Sequence, residues 1–245
     1  MLQNVLYFLA SEFGERVSNY MSTDYSDVRK HAKSRPIGPS LPIKGPYELG
    51  LKRLFDVMCV VASIPFILPL IGVLALMVKR DGGPAFYCQD RVGMNGRIYR
   101  IWKLRTMVVD AESKLQDHLS KHPEAAAEWT LTQKLKRDPR ITKIGALLRK
   151  SSVDELPQLW NVLIGDMSLV GPRPMLPEQQ TMYPGLAYYS QRPGITGSWQ
   201  VSDRNECTFA DRARFDTDYI ANMSFANDMK LLLATVRVVV RGTGY

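Results

Sequence analysis

The sequence predicts an α+β, mainly helical fold: a proline-broken apolar helix inserted in a membrane, packed on a small domain with amphipathic interfacial helices and a short β-hairpin. Three observations predict it. Residues 57–78 carry no charge and hold two internal prolines. Two basic, extended segments flank the turn Met94-Asn95-Gly96. From residue 108 onward, helix-patterned segments alternate with Ser, Pro and Gly punctuation.

Residues 1–48 are expected to form an N-terminal arm and linker. The opening MLQNVLYFLASEF lacks the positive start and long apolar core of a signal peptide and suits a short amphipathic helix. Residues 22–48 turn polar, then proline-rich, with Pro36, Pro39, Pro42 and Pro46. Residues 49–81 form the membrane segment. Its 22 uncharged residues, at about 1.5 Å rise each, reach across a hydrocarbon core of about 30 Å. A simple span is one reading and a buried helix of a soluble protein another. The details favour re-entry. Pro65 and Pro69 each remove a backbone donor and bend a helix. Lys52 and Arg53 precede the run and Lys79 and Arg80 follow it, so both flanks ask for the cytoplasmic side.

Residues 82–245 are expected to form a cytoplasmic, membrane-associated domain. AFYCQDRVG and RIYRIWKLRTM read as a basic hairpin, and residues 108–136 as surface helix. ITKIGALLRK reads as a helix ending near Lys150. Ser151 and Ser152 then offer capping oxygens, and Ser152 with Glu155 matches a capping box. Pro157 fits only a first helical turn, so a second helix begins near Asp154 and stops at Gly165. The apolar stretch 229–240, with Lys230 and Arg237, is too short to span; it suits either a packed helix or one lying in the membrane interface.

Composition narrows the function. A chain of 245 residues with 45% hydrophobic content builds a real core. A net charge of +8 favours polyanions: nucleic acid, anionic lipid or nucleotide phosphate. Cys59, Cys88 and Cys207 are odd in number and without CxxC spacing, which argues against a disulfide scaffold or zinc. His31, His118 and His122 lie outside the dense motifs, which argues against Ser-His, Cys-His and HExxH chemistry.

The densest stretch is SSVDELPQLWNVLIGDMSLVGPRP, residues 151–174. It sets Asp154 and Glu155 at a helix start and Arg173 between Pro172 and Pro174. Ordering an arginine costs about 2 kcal/mol of rotamer freedom, and its planar fork binds phosphate oxygens bidentately. A rigid base lowers that cost. The segment QRPGITGSWQVSDRNE reads as a structured loop with further arginines.

The pieces KRLFDV, the proline-broken segment, QDRVGMNG, IWKLRTM, LLRKSSVDELPQLWNVLIGDMSLVGPRP and RPGITGSWQV occur in this order, and with them the chain from about Tyr47 to Tyr245 strongly resembles the bacterial sugar transferase family. These are monotopic polyprenyl-phosphate sugar-1-phosphate transferases, and the chain is most similar to single-module, exopolysaccharide-initiating members. The resemblance implies a re-entrant membrane segment, an inner-membrane location with a cytoplasmic active site, and a UDP-sugar and polyprenyl phosphate as substrates. It also implies a two-step reaction. Asp154 attacks the β-phosphorus of the UDP-sugar, UMP leaves, and polyprenyl phosphate takes the phosphosugar. UDP-galactose or UDP-glucose is favoured as donor. Mg²⁺ is the expected cofactor, with Asp154 and Glu155 as its neighbours, and Glu155 serves as metal ligand or acid–base helper. By motif position, Arg149 and Arg173 hold phosphates, Lys103 and Arg105 line the site, Arg192 and Arg204 contact the nucleotide or its phosphates, and Asp228 matches an acid of the C-terminal part. Where the family has Ser-Pro in the membrane break, this chain has Leu68-Pro69, with Ser63 and Pro65 nearby. Inner-membrane lipid is an expected partner and a homodimer is compatible. Nucleic acid is not expected, because aromatic–basic interleaving and a helix-turn-helix pattern are both missing. A noncatalytic scaffold is disfavoured by the intact Asp154, Glu155 and Arg173.

Overall fold

The structure, a computed structural model, describes residues 45–132, 135, 137–202 and 209–240. The expected arm up to residue 44 lies outside the described residues, as does Arg204. A π-helical turn, Tyr47–Leu51, runs directly into α1, Lys52–Lys79. Pro65 and Pro69 both fall inside α1, and the segment is helical throughout. The expected helix–break–helix is thus a single helical run carrying two prolines. The Ser63 hydroxyl donates to the Val60 carbonyl at 2.7 Å, just ahead of Pro65.

The rest of the fold seats both ends of α1. At its start, Lys52 binds Asp228, and Arg53 donates to the Val162 and Leu163 carbonyls, the latter at 2.8 Å. Asp56 accepts from the Ser168 hydroxyl at 2.7 Å and from the Leu169 amide at 3.2 Å. At its end, Ile71, Ala75 and Val78 pack with Phe86, Trp102, Leu104 and Leu148. Between these seats Val61, Ile64, Phe66, Leu68 and Leu70 are exposed, Phe66 by 78%.

β1 (Phe86–Val92) and β2 (Ile98–Leu104) pair antiparallel, as expected, around a turn in which Asn95 and Gly96 take positive φ of 59° and 77°. The register sets Tyr87 opposite Lys103 and Arg91 opposite Tyr99. Since Tyr87 and Arg91 are four residues apart, they and their partners share one face. α2 (Ala111–Lys121) and α3 (Pro123–Thr132) follow as the expected peripheral helices. α4 (Lys143–Lys150) starts at Thr142, whose hydroxyl accepts from the Gly145 amide at 2.9 Å. Gly145 lies so close to the Thr106 carbonyl that any Cβ there would collide with it, which presses α4 onto the end of the hairpin.

α5 (Gln158–Ile164) leads into β3 (Ser168–Val170), which pairs in parallel with β4 (Gly194–Thr196). β4 falls in the segment that the sequence reads as a structured loop, and β3 carries no strand signal in the sequence. Gly171, Gly194 and Gly197 pack backbone against backbone there, and a Cβ at any of them would overlap a neighbouring main chain. α6 (Ser198–Val201), α7 (Arg212–Ala221) and α8 (Phe225–Val240) complete the order. α8 leaves Phe225, Leu233 and Val236 exposed.

Candidate active site

The chain reverses sharply between α4 and α5. Ser152 adopts φ 55°, the left-handed region, and its side chain makes no cap. The capping box that Ser152 and Glu155 could have formed is therefore not what orients the acids. The Ser151 hydroxyl instead donates to the Leu147 carbonyl, closing the end of α4. Val153–Glu155 forms a 3₁₀ turn, Pro157 takes the N-cap position of α5, and Gly165, at φ 90°, ends it. The acids thus sit on a separate turn, three to four residues before α5 begins at Gln158, whereas the sequence placed that start near Asp154.

This turn faces the end of β2. Glu155 pairs with Lys103 at 2.6 Å. Arg149, from α4, donates through Nε to the Thr106 hydroxyl at 2.9 Å. Asp154 is buried, with 8% exposure, and its charged neighbours are Lys103, Glu155 and Arg149. Burial pushes its carboxyl up to about 6; Glu155 adds to the rise, while Lys103 and Arg149 oppose it.

Asn161 fixes this meeting, and the sequence reading missed it. Its fully buried amide accepts from the Trp102 N–H at 3.1 Å and donates to the Arg100 carbonyl at 2.7 Å. It serves the free edge of β2 as a third strand would, and so holds α5 in register with Lys103.

The other expected site residues divide. Arg105 is engaged away from the acids: it is buried, paired with Asp81, and donates to the Pro84 and Met107 carbonyls at 2.6 and 2.8 Å. That closes the end of α1 onto the hairpin. Asp228 is fully buried and accepts from the Tyr47 hydroxyl at 2.7 Å, Lys52 at 2.5 Å and the Tyr219 hydroxyl at 2.8 Å, tying α8 to the start of α1. Arg192 donates to the Gly165 carbonyl at 2.8 Å. Arg173 stacks on Trp199 at 5.6 Å, and the charges it influences are Arg91 and Arg212. Arg91 and Arg212 were not assigned from sequence. Strand alternation with Lys103 marks Arg91, whereas nothing local marks Arg212. Among the described residues no three His, Cys, Asp or Glu side chains gather to hold a metal ion.

Asp154 and Glu155 therefore form a carboxylate pair, with Lys103 and Arg149 beside it, next to an apolar helix long enough to cross a membrane. Such a set suits chemistry at a phosphoryl group, where a carboxylate attacks and cations take up oxygen charge. The model of the bacterial sugar transferase family matches residues 47–242. The chain is 46% identical to a UDP-galactose-lipid carrier transferase of Erwinia amylovora and 45% identical to an undecaprenyl-phosphate galactose phosphotransferase of Salmonella typhimurium. Each match covers 79% of this chain but only 41% of the relative's length. It is also 41% identical to the exopolysaccharide production protein ExoY of Rhizobium meliloti, over 79% of this chain and 87% of that one. The chain belongs to the bacterial sugar transferase family.

Proposed function

We propose that the chain is a membrane-associated phosphoglycosyl transferase that moves a hexose-1-phosphate from UDP-galactose or UDP-glucose to polyprenyl phosphate, starting an exopolysaccharide or other surface glycan. The observation that carries this reading is the buried Asp154 between Lys103 and Arg149, in a chain of this family. In the first step an Asp154 carboxylate oxygen attacks the β-phosphorus. The bond from that phosphorus to the bridging oxygen breaks, and UMP leaves with the electron pair. In the second step an oxygen of the lipid phosphate attacks the same phosphorus, and the bond to Asp154 breaks, restoring the carboxylate. Lys103 and Arg149 balance charge on the phosphoryl oxygens during both displacements.

Two adjacent carboxylates fit Mg²⁺, which is bound by one or two carboxylates together with substrate phosphates and retained waters. Asp154 and Glu155 would hold it, and bound Mg²⁺ supplies neutralisation of phosphate charge. Glu155, already paired with Lys103, sets the position of that lysine.

The membrane seat is read as re-entrant. What supports it is that both ends of α1 pack on the same domain while its proline-bearing middle is apolar and exposed. A helix crossing straight through would carry one end away from that domain. The basic flanks and the exposed apolar side chains of α8 fit a cytoplasmic-face interface in the inner membrane. The deciding experiment places the chain in nanodiscs with UDP-galactose or UDP-glucose, Mg²⁺ and undecaprenyl phosphate, and measures UMP. Release that depends on Asp154 is the expected result. No UMP from either donor, or undiminished release by Asp154→Asn, overturns the reading.

A further inference from the structure

Three guanidinium groups converge at the end of the hairpin remote from Lys103. Arg91 projects from β1, Arg173 from the Gly-Pro-Arg-Pro corner, and Arg212 from the first turn of α7. Arg173 and Arg212 line a small pocket with Trp199, Phe209, Tyr183 and Asp216, and Arg91 lies within electrostatic reach of both arginines.

Arg173 and Arg212 are held by aromatic faces, yet buried donors at this place are unused. Arg212 stacks at 4.1 Å from the Trp199 ring and 4.6 Å from Phe209, and Arg173 lies 5.6 Å from Trp199. Stacking occupies the face of a guanidinium and leaves its N–H edge free for an anion. Arg91 gives one nitrogen to Gln89 at 2.7 Å. The Nε groups of Arg91 and Arg212 and the Trp199 indole N–H are buried, with no hydrogen-bond partner among the described residues.

The local charge is also unbalanced. Asp216 is the one carboxylate among the described residues lining the pocket. It accepts the Tyr183 hydroxyl at 2.7 Å, and burial pushes it up to about 6. Burial, then the neighbouring Arg173, brings Arg212 down to about 10, with Asp216 opposing and Arg91 adding to the fall. Half-buried cations that repel each other, with buried Nε donors that have no partner among the described residues, are a site for an anion.

The hairpin register relates this pocket to the carboxylate pair. Lys103 stands opposite Tyr87, and Arg91 lies four residues further along the same face, which is about 13 Å at strand spacing. We propose that Arg91, Arg173 and Arg212 form a second phosphate-binding subsite, distinct from the Asp154 set and joined to it along one face of the hairpin. The inference rests on the transferase reading above and assigns Arg91 and Arg212 as substrate-binding residues. The phosphate belongs either to the nucleotide or to the lipid acceptor, since both present the same oxygens to a guanidinium.

Arginine footprinting tests this without turnover. The full chain in phosphatidylcholine nanodiscs is treated with phenylglyoxal, alone or with UMP or farnesyl phosphate, and modification is read by mass spectrometry. One probe is expected to protect Arg91, Arg173 and Arg212 by at least about threefold, and to do so equally in Asp154→Asn. Protection by UMP makes it a nucleotide subsite; protection by farnesyl phosphate makes it a lipid-phosphate subsite. Arg91→Gln and Arg212→Gln, at unchanged melting temperature, are expected to weaken the protecting probe by about tenfold. Protection of none of the three by either probe, or of Arg149 alone, overturns the proposal, as do folded variants that bind both probes like the parent. If a variant does not fold, the footprint on the unaltered chain decides. Absence of UMP release in the transfer assay would sink the transferase reading while leaving the footprint to be read by itself.

Discussion

The turn carrying Asp154 and the pocket around Arg173 sit at opposite ends of one hairpin face and hold charge in opposite ways. At the turn, two carboxylates face Lys103 and Arg149, and Glu155 is already paired at 2.6 Å. At the pocket, Arg173 and Arg212, with Arg91 in electrostatic reach, meet one carboxylate among the described lining residues, Asp216, which is engaged by Tyr183. Opposite charges in contact are compensated without a ligand; like charges held by aromatic stacking await one. The difference separates chemistry from capture. A reacting acid must be kept ionisable near neutral pH, whereas a phosphate-binding cluster works best when its donors are ordered and unspent.

The largest expected effect breaks the two regions apart. Asp154→Asn should lower turnover on the order of 10⁴-fold, whereas Arg212→Gln should mainly raise KM for one substrate, by about tenfold. Steady-state kinetics against each substrate separates these; equal losses of kcat in both variants would merge the regions into one. Their supports come next. Gly171 lets the Arg173 corner pack on β4, and a Cβ there would strike main chain. Gly171→Val should cost about 3 kcal/mol or fail to fold. Asn161→Leu leaves the Trp102 N–H and Arg100 carbonyl without partners and should cost about 2 kcal/mol by chemical denaturation. An unchanged midpoint in either variant would remove that residue from the support of its region.

A smaller effect concerns stability. Burial raises the Asp154 carboxyl from 3.8 to about 6 in the folded chain, so above that range the ionised acid weighs against folding. Asp154→Asn should raise the melting temperature at pH 8, by about 1–2 kcal/mol in stability. The gain should shrink as pH falls from about 6 to 3.8 and vanish below. A gain that persists at low pH would assign it to something other than ionisation. The smallest effect is a shift of profile. The kcat/KM of the parent should fall as pH drops through about 6, because protonated Asp154 is no nucleophile. Lys103→Met removes a cation that lowers this value and should move the limb to higher pH. Glu155→Gln removes an anion that raises it and should move the limb to lower pH. Arg212→Gln should leave the limb in place. A limb unmoved in both near variants would belong to a substrate phosphate, which also titrates near pH 6.

Much of the fold was legible where one residue sets local geometry. Asn95-Gly96 accepts positive φ and closes the hairpin. Gly165 ends α5, and Pro157 can stand only at its start. The apolar run 57–78 became one long helix, but the expected interruption at Pro65 and Pro69 did not appear as a gap in it. Ser152 misled for a physical reason: the capping pattern needs an extended residue, and tertiary packing put it in the left-handed region. The β3–β4 pair was illegible because each strand has three residues, joined over a long connection and held by glycine contacts that leave no periodic trace.

The same division runs through the site. The sequence by itself determined the adjacent Asp154-Glu155 pair ahead of Pro157, the cations of IWKLRTM and LLRK, and the rigid mounting of Arg173, because each lies within a few bonded residues of what fixes it. Only the tertiary structure decided which cation meets which acid. It gave Lys103 to Glu155, turned Arg105 to Asp81 and Lys52 to Asp228, set Arg173 and Arg212 in one pocket and brought Arg91 within electrostatic reach of both. Those pairings join residues 24 to 176 positions apart. Charge type is written along the chain, but electrostatic partnership depends on distance and burial, and packing alone supplies both.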